Sequence, residues 1–167
     1  GLGSITDMLT ALRYHVYDRK DVTMPEMMEA LEVDFKGYEE LQYRLVYKTP
    51  KYGNDDDYAD RQEVEVFDLY YDVLNGHKSP RGATYRVNML PTTCHVYFGR
   101  VTGATPDGRN AGKPLSEGIS PVQGADINGP TAVIKSAAKI DNIKTGGTLL
   151  NQKFTPSLLA TEEGAMN

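Results

Sequence analysis

Apolar positions recur at helical spacing through roughly the first 76 residues and then switch to alternation after Gly82, which divides the chain into two kinds of structure. Ile5, Met8, Leu9, Leu12 and Val16 predict a first helix, with Ser4 or Thr6 able to cap it. Thr23-Met24-Pro25-Glu26 spells a capping box with proline in the first turn, so a second helix should run toward Phe35 and break at Gly37. Tyr38, Leu41 and Leu45 mark a third, which must stop before Thr49-Pro50 because the residue ahead of proline avoids helical dihedrals. A longer helix is expected from about Asp56 to Leu74, with Val64, Phe67, Tyr71 and Leu74 on one stripe and Asn75-Gly76 at its C-terminal end. Its start, Asp55-Asp56-Asp57, places negative charge where the helix dipole favours it.

Beyond Gly82, Tyr85, Val87 and Met89 alternate with Arg86, Asn88 and Leu90. Pro91-Thr92-Thr93 intervenes, and Cys94, Val96 and Phe98 alternate with His95 and Tyr97, so two short strands around a kink are predicted. A helix from Pro130 to about Ile140 should carry Val133, Ile134 and Ala137 inward. Thr148 to Phe154 reads as a further strand, buried on both faces through Leu149-Leu150. Helices feeding short buried strands define an α/β class, divided into a helical part over about 1–76 and a part of strands and glycine-rich loop over about 82–167.

Between these elements lies Val101–Ser136, rich in glycine and proline yet far from low complexity. Asp107, Arg109, Lys113 and Glu117 are mixed there with Leu115, Ile119 and Val122, the composition of an ordered loop rather than a linker. Its GATPDGRNAGKP run is not a phosphate loop, because three residues rather than four separate Gly108 from Gly112 and Lys113 precedes Pro114. An ordered loop held by Asp107 and Arg109 bonding to backbone is expected instead. The acidic run at 54–60 lacks the turn glycine and closing glutamate of a calcium loop. His15, His77 and His95 have no metal-ligand spacing and read as surface or packed histidines, and no serine sits in a nucleophile elbow.

Composition narrows the partners. A net charge of −5, a pI near 5.2 and dispersed Lys and Arg argue against nucleic acid. No apolar run reaches membrane-spanning length. Cys94 is the single cysteine, which excludes an internal disulfide framework and suits a reducing cytoplasm. The 40% apolar content could fill one core, but a chain opening on Gly1-Leu2-Gly3 and closing on Met166-Asn167 reads as cut from a longer frame.

The run TGATPDGRNAGKPLSEGISPVQGADINGPTAVIKSAAKID, followed by GGTLLNQKF, resembles the glycyl radical enzymes, the superfamily of pyruvate formate-lyase and the radical dehydratases. SITDMLTALRYHVYD and TPKYGNDDDYAD extend the resemblance across essentially the whole chain. It implies part of a ten-stranded α/β barrel, as an interior segment of a single catalytic domain. The family's thiyl-forming cysteine in a Gly-Cys-Val-Glu-like loop and its radical glycine in an Arg-Val-x-Gly-Tyr-like loop are both absent, and Cys94 has no glutamate two residues on. The chain therefore reads as a slice between the two loops, with no catalytic residue, cofactor or metal ligand of its own and inert alone.

The resemblance also implies a substrate contact. In the dehydratases, the residues flanking the proline of the kinked strand face the barrel interior, which points to Leu90 as an apolar wall and Thr92 as a hydroxyl contact to a small-molecule substrate. The bland alternative is that Thr92 bonds its own backbone at the kink. Leucine paired with threonine implies dehydration of trans-4-hydroxy-L-proline. Glycerol or propanediol dehydration, formate-lyase-type cleavage, or a non-catalytic docking scaffold are the alternatives. A cytoplasmic homodimer is implied, activated by a separate radical S-adenosylmethionine iron–sulfur enzyme.

Overall fold

A computed structural model describes residues 1–90, 92–154, 156, 160 and 161. Six α-helices are present among them: α1 Leu2–Ala11, α2 Met24–Glu32, α3 Glu39–Tyr47, α4 Asp57–Leu74, α5 Cys94–Val101 and α6 Pro130–Ala137. Helix α1 continues into a π-helical turn over Leu12–Asp18, and a 3₁₀ turn spans Asn142–Lys144.

The helical half follows its sequence signals closely. Thr23 and Glu26 form the reciprocal capping box, each side chain accepting from the other's backbone N–H. Helix α3 ends two residues before Thr49, and Asp56 caps α4 by accepting from the Tyr58 N–H at 2.9 Å. Phe67 is buried, with Val64, Tyr71 and Leu74 packed around it. Helix α2 stops short of Phe35, because Asp34 and Phe35 both take left-handed dihedrals that turn the Phe35 ring into the core.

Helix α1 departs from expectation. Ile5 and Leu9, on its apolar stripe, are exposed, while Ser4, Thr6, Asp7, Thr10 and Ala11 are buried, since α1 packs its polar face against α4. Neither Ser4 nor Thr6 caps it. The Ser4 N–H donates instead to Ser116 Oγ at 2.9 Å and Ser4 Oγ accepts from the Ser116 N–H at 2.7 Å, a tie across 112 residues that no local pattern announces.

Two apolar clusters result. Ala11, Val22, Met27, Ala30, Phe35, Leu41 and Leu45 join the end of α1 to α2 and α3. Leu2, Phe67, Val87, Ile119, Ala137 and Ile140 join α1 and α4 to the second half. At about 25 cal/mol per Å², full burial of each larger member contributes roughly 1.5–3 kcal/mol.

The strand predictions are corrected. Among the described residues there is no strand, only isolated bridges pairing Lys78 with Thr84 and Met89 with Thr148. Cys94–Phe98 lies in α5, because five alternating residues are too few to separate a strand from one helix face, and Gly99 permits close packing on the loop at Lys113-Pro114. Tyr85–Leu90 and Thr148–Phe154 carry single bridges rather than ladders, and Leu149 and Leu150 are half-buried. Helix α6 ends at Ala137, with Val133 and Ala137 buried as expected and Ile134 exposed.

Candidate functional site

Three segments converge beneath Leu90. The Met89 N–H donates to Gly147 O at 2.9 Å, the Gly146 N–H to Val87 O at 2.8 Å and the Leu149 N–H to Met89 O at 3.3 Å, so 87–89 lies against 146–149. The Ile119 N–H donates to Leu149 O at 3.1 Å, bringing in the glycine-rich loop. Gly118 makes this crossing possible: its φ is +52°, and a Cβ there would collide with the Leu149 carbonyl and crowd that of Met89. Leu90 packs its Cδ1 over Gly147 and is 42% exposed.

Thr92 follows in a turn leading to α5, exposed and with φ of +51°. For a β-branched residue the left-handed region is a true outlier and costs about 1–3 kcal/mol, retained where surrounding structure imposes it. Its carbonyl accepts from His95 Nδ1 at 3.1 Å. Its hydroxyl makes no hydrogen bond to the other described residues. The predicted kinked strand is therefore a strained turn at a helix start, with Leu90 and Thr92 both on its exposed side. Pro91 lies outside the described residues.

Arg109 organises the loop above. It is buried, and its guanidinium donates to the carbonyls of Thr102, Gly103, Asn110 and Lys113 and, through Nε, to Thr105 Oγ1. The expectation that Arg109 bonds backbone is met. Asp107 acts differently: its carboxylate accepts from Thr105 Oγ1 at 2.5 Å, and it is the Asp107 carbonyl that accepts from Lys51 Nζ at 3.0 Å.

Sequence reasoning missed a buried acidic group between α1 and α4. Asp7, Asp60 and Glu63 are all fully buried. The Tyr52 N–H donates to Asp7 Oδ1 at 2.8 Å, whereas Asp7 Oδ2 and both Glu63 oxygens lack a hydrogen-bond partner among the described residues. Tyr52 spends its hydroxyl proton on Ile119 O at 2.6 Å. Burial pushes the Asp7 carboxyl up to about 7 against the pull of Lys51, and pushes Glu63 up to about 8. Asp60 is also raised by burial, although Lys139 and Ser136 bond it at 2.7 and 2.8 Å. The apolar stripe of α1 pointed to its other face, so Asp7 carried no local signal of burial. His15 is packed as expected, between Asp21 at 2.9 Å and Thr49 at 2.8 Å. Among the described residues no cluster of His, Cys, Asp and Glu is arranged to hold a metal ion, and no helix is long and apolar enough to cross a membrane.

Comparison with known proteins puts this fold in the glycyl radical class. The pyruvate formate lyase-like family model matches residues 1–99 and the glycine radical model matches 115–167. The chain belongs to the pyruvate formate lyase-like family. It is 56% identical over 167 residues to trans-4-hydroxy-L-proline dehydratase of Clostridioides difficile, covering 100% of this chain and 21% of that protein. The solved structure of that organism's hydroxyproline dehydratase, with trans-4-hydroxy-L-proline bound, matches with a TM-score of 0.94 at 57% identity, over 98% of this chain and 21% of the other. The glycerol-bound B12-independent glycerol dehydratase of Clostridium butyricum matches at 0.91 and 42%, over 99% and 21%. The chain thus spans about a fifth of the length of these relatives. The match of 115–167 to the glycine radical model is consistent with a protein-based glycyl radical.

Proposed function

We propose that this chain is an interior segment of one glycyl radical catalytic domain whose whole protein dehydrates trans-4-hydroxy-L-proline, and that Leu90 and Thr92 contact the substrate. The observation that carries the reading is the Thr92 turn: a β-branched residue held in the left-handed region presents a hydroxyl without a partner among the described residues, next to an exposed leucine. A hydroxyl at a pocket wall can both donate to and accept from a substrate hydroxyl, amine or carboxylate. The 56% identity to trans-4-hydroxy-L-proline dehydratase, against 42% to the glycerol-bound structure, supports this substrate over glycerol.

In this reading the radical chemistry is supplied by parts of the protein outside these residues. Leu90 excludes water from the reacting carbon, and Thr92 fixes the substrate's orientation by a hydrogen bond. A ten-stranded barrel, a homodimer in the cytoplasm, and activation by a radical S-adenosylmethionine enzyme complete the proposal.

The test is Thr92→Ala in the activated full-length protein, assayed anaerobically with trans-4-hydroxy-L-proline. Loss of one hydrogen bond should raise KM about three- to tenfold. Unchanged kinetics would remove Thr92 from the site, and turnover of glycerol in preference to hydroxyproline would reassign the substrate.

A further inference from the structure

We infer that His95 is a positioning residue for Thr92, holding the threonine hydroxyl toward the substrate through the backbone carbonyl of that same residue. The inference rests on the proposed role of Thr92 and goes beyond it. A carbonyl oxygen only accepts, so the 3.1 Å contact between His95 Nδ1 and Thr92 O requires the proton on Nδ1. The bond closes a ring from the Thr92 carbonyl through Thr93 and Cys94 to the His95 side chain and so fixes the peptide plane that follows Thr92, limiting how far this residue, with its φ of +51°, can relax and swing its hydroxyl away. This clasp is not needed to begin α5, since the Val96 N–H already donates to Thr93 O at 3.1 Å.

His95 is in turn anchored from the other side. Its carbonyl accepts from the Leu115 N–H at 3.2 Å, and Gly99, one turn on, packs against the Lys113-Pro114 backbone so closely that a Cβ could not fit. Lys113 O is itself held by Arg109 Nη1 at 2.6 Å. A continuous set of bonds therefore runs from the buried guanidinium through the loop to His95 and so to Thr92. Positioning by such supporting bonds is what holds a contact group in productive geometry.

The experiment compares His95→Ala, His95→Asn, Thr92→Ala and the His95→Ala/Thr92→Ala double variant in the activated full-length protein. KM and kcat for trans-4-hydroxy-L-proline are measured, with glycyl radical content and unfolding midpoint as checks on each. His95→Ala is expected to raise KM about three- to tenfold with kcat little changed. Asparagine places an amide N–H near the Nδ1 position and should restore most of the loss. The double variant should be no worse than Thr92→Ala alone, because both changes remove the same interaction. Additive effects in the double variant, or equal impairment by alanine and asparagine, would overturn the inference and leave the Thr92 contact standing. A wild-type KM in His95→Ala alongside an impaired Thr92→Ala would do the same. Wild-type kinetics in Thr92→Ala would remove the site reading and the inference together.

Discussion

Replacing Arg109 with methionine is expected to destabilise the full-length protein by about 2–3 kcal/mol, seen as a lower denaturant midpoint and reduced soluble yield. Methionine keeps much of the side chain's length, so the loss isolates the guanidinium. Four backbone carbonyls, those of Thr102, Gly103, Asn110 and Lys113, would each lose the guanidinium as a donor, together with Thr105 Oγ1. Thr102 O and Asn110 O keep the Gly112 and Lys113 N–H as donors, so the loss falls mainly on Gly103 O, Lys113 O and the buried Thr105 Oγ1, and on a buried side chain whose charge no longer fixes the loop. Lysine should rescue little, because its single ammonium cannot span carbonyls that surround a planar fork. A midpoint within a few tenths of a kcal/mol of wild type would show that the loop is held by its glycines and prolines alone.

The second large effect concerns pH. Glu63 has an ordinary value of 4.5 when exposed and is pushed up to about 8 in the fold by burial. Its contribution is therefore fully present below about pH 4.5 and is lost as the pH rises through 8, because the unfolded chain releases the proton first. Over that window the folded protein should lose up to about 4 kcal/mol at this site. Glu63→Gln cannot ionise. It should match the wild type near pH 4.5 and surpass it progressively toward pH 9. Asp7, raised to about 7, adds a smaller loss over the lower part of the same range. Unfolding midpoints of wild type and Glu63→Gln measured from pH 5 to 9 test this. Parallel curves would mean that Glu63 is ionised in the fold, with water or an ion satisfying its oxygens.

Local chemistry was the legible part of the chain. The Thr23 capping box, the stop of α3 before Thr49-Pro50 and the Phe67 stripe of α4 each depend on residues within about one or two turns of one another. The ordered nature of the glycine-rich loop and the backbone role of Arg109 were legible for a similar reason, since a loop of glycines and prolines leaves nearby carbonyls in need of a side-chain donor. Family membership was legible through the long run from Thr102 to Asp141. The candidate site was legible only as a pair of positions, Leu90 and Thr92, through that resemblance.

Where the sequence reading failed, distant partners were responsible. Alternation at Cys94–Phe98 suited either element, and the decision for a helix came with the close packing of Gly99 on Lys113-Pro114. Helix α1 hid its orientation because its polar residues meet partners far along the chain: Ser4 finds Ser116, and Asp7 finds the Tyr52 backbone.

The amino-acid sequence by itself therefore determined the helical half, the ordered loop and the family, since periodicity, capping and turn chemistry act between near neighbours. Only the tertiary structure decided which face of α1 is buried, that Asp7, Asp60 and Glu63 are buried together, and that Thr92 sits in a left-handed turn clasped by His95. Burial, raised carboxyl values and backbone strain are properties of surroundings rather than of residues, and they come into being when segments remote in sequence are packed together.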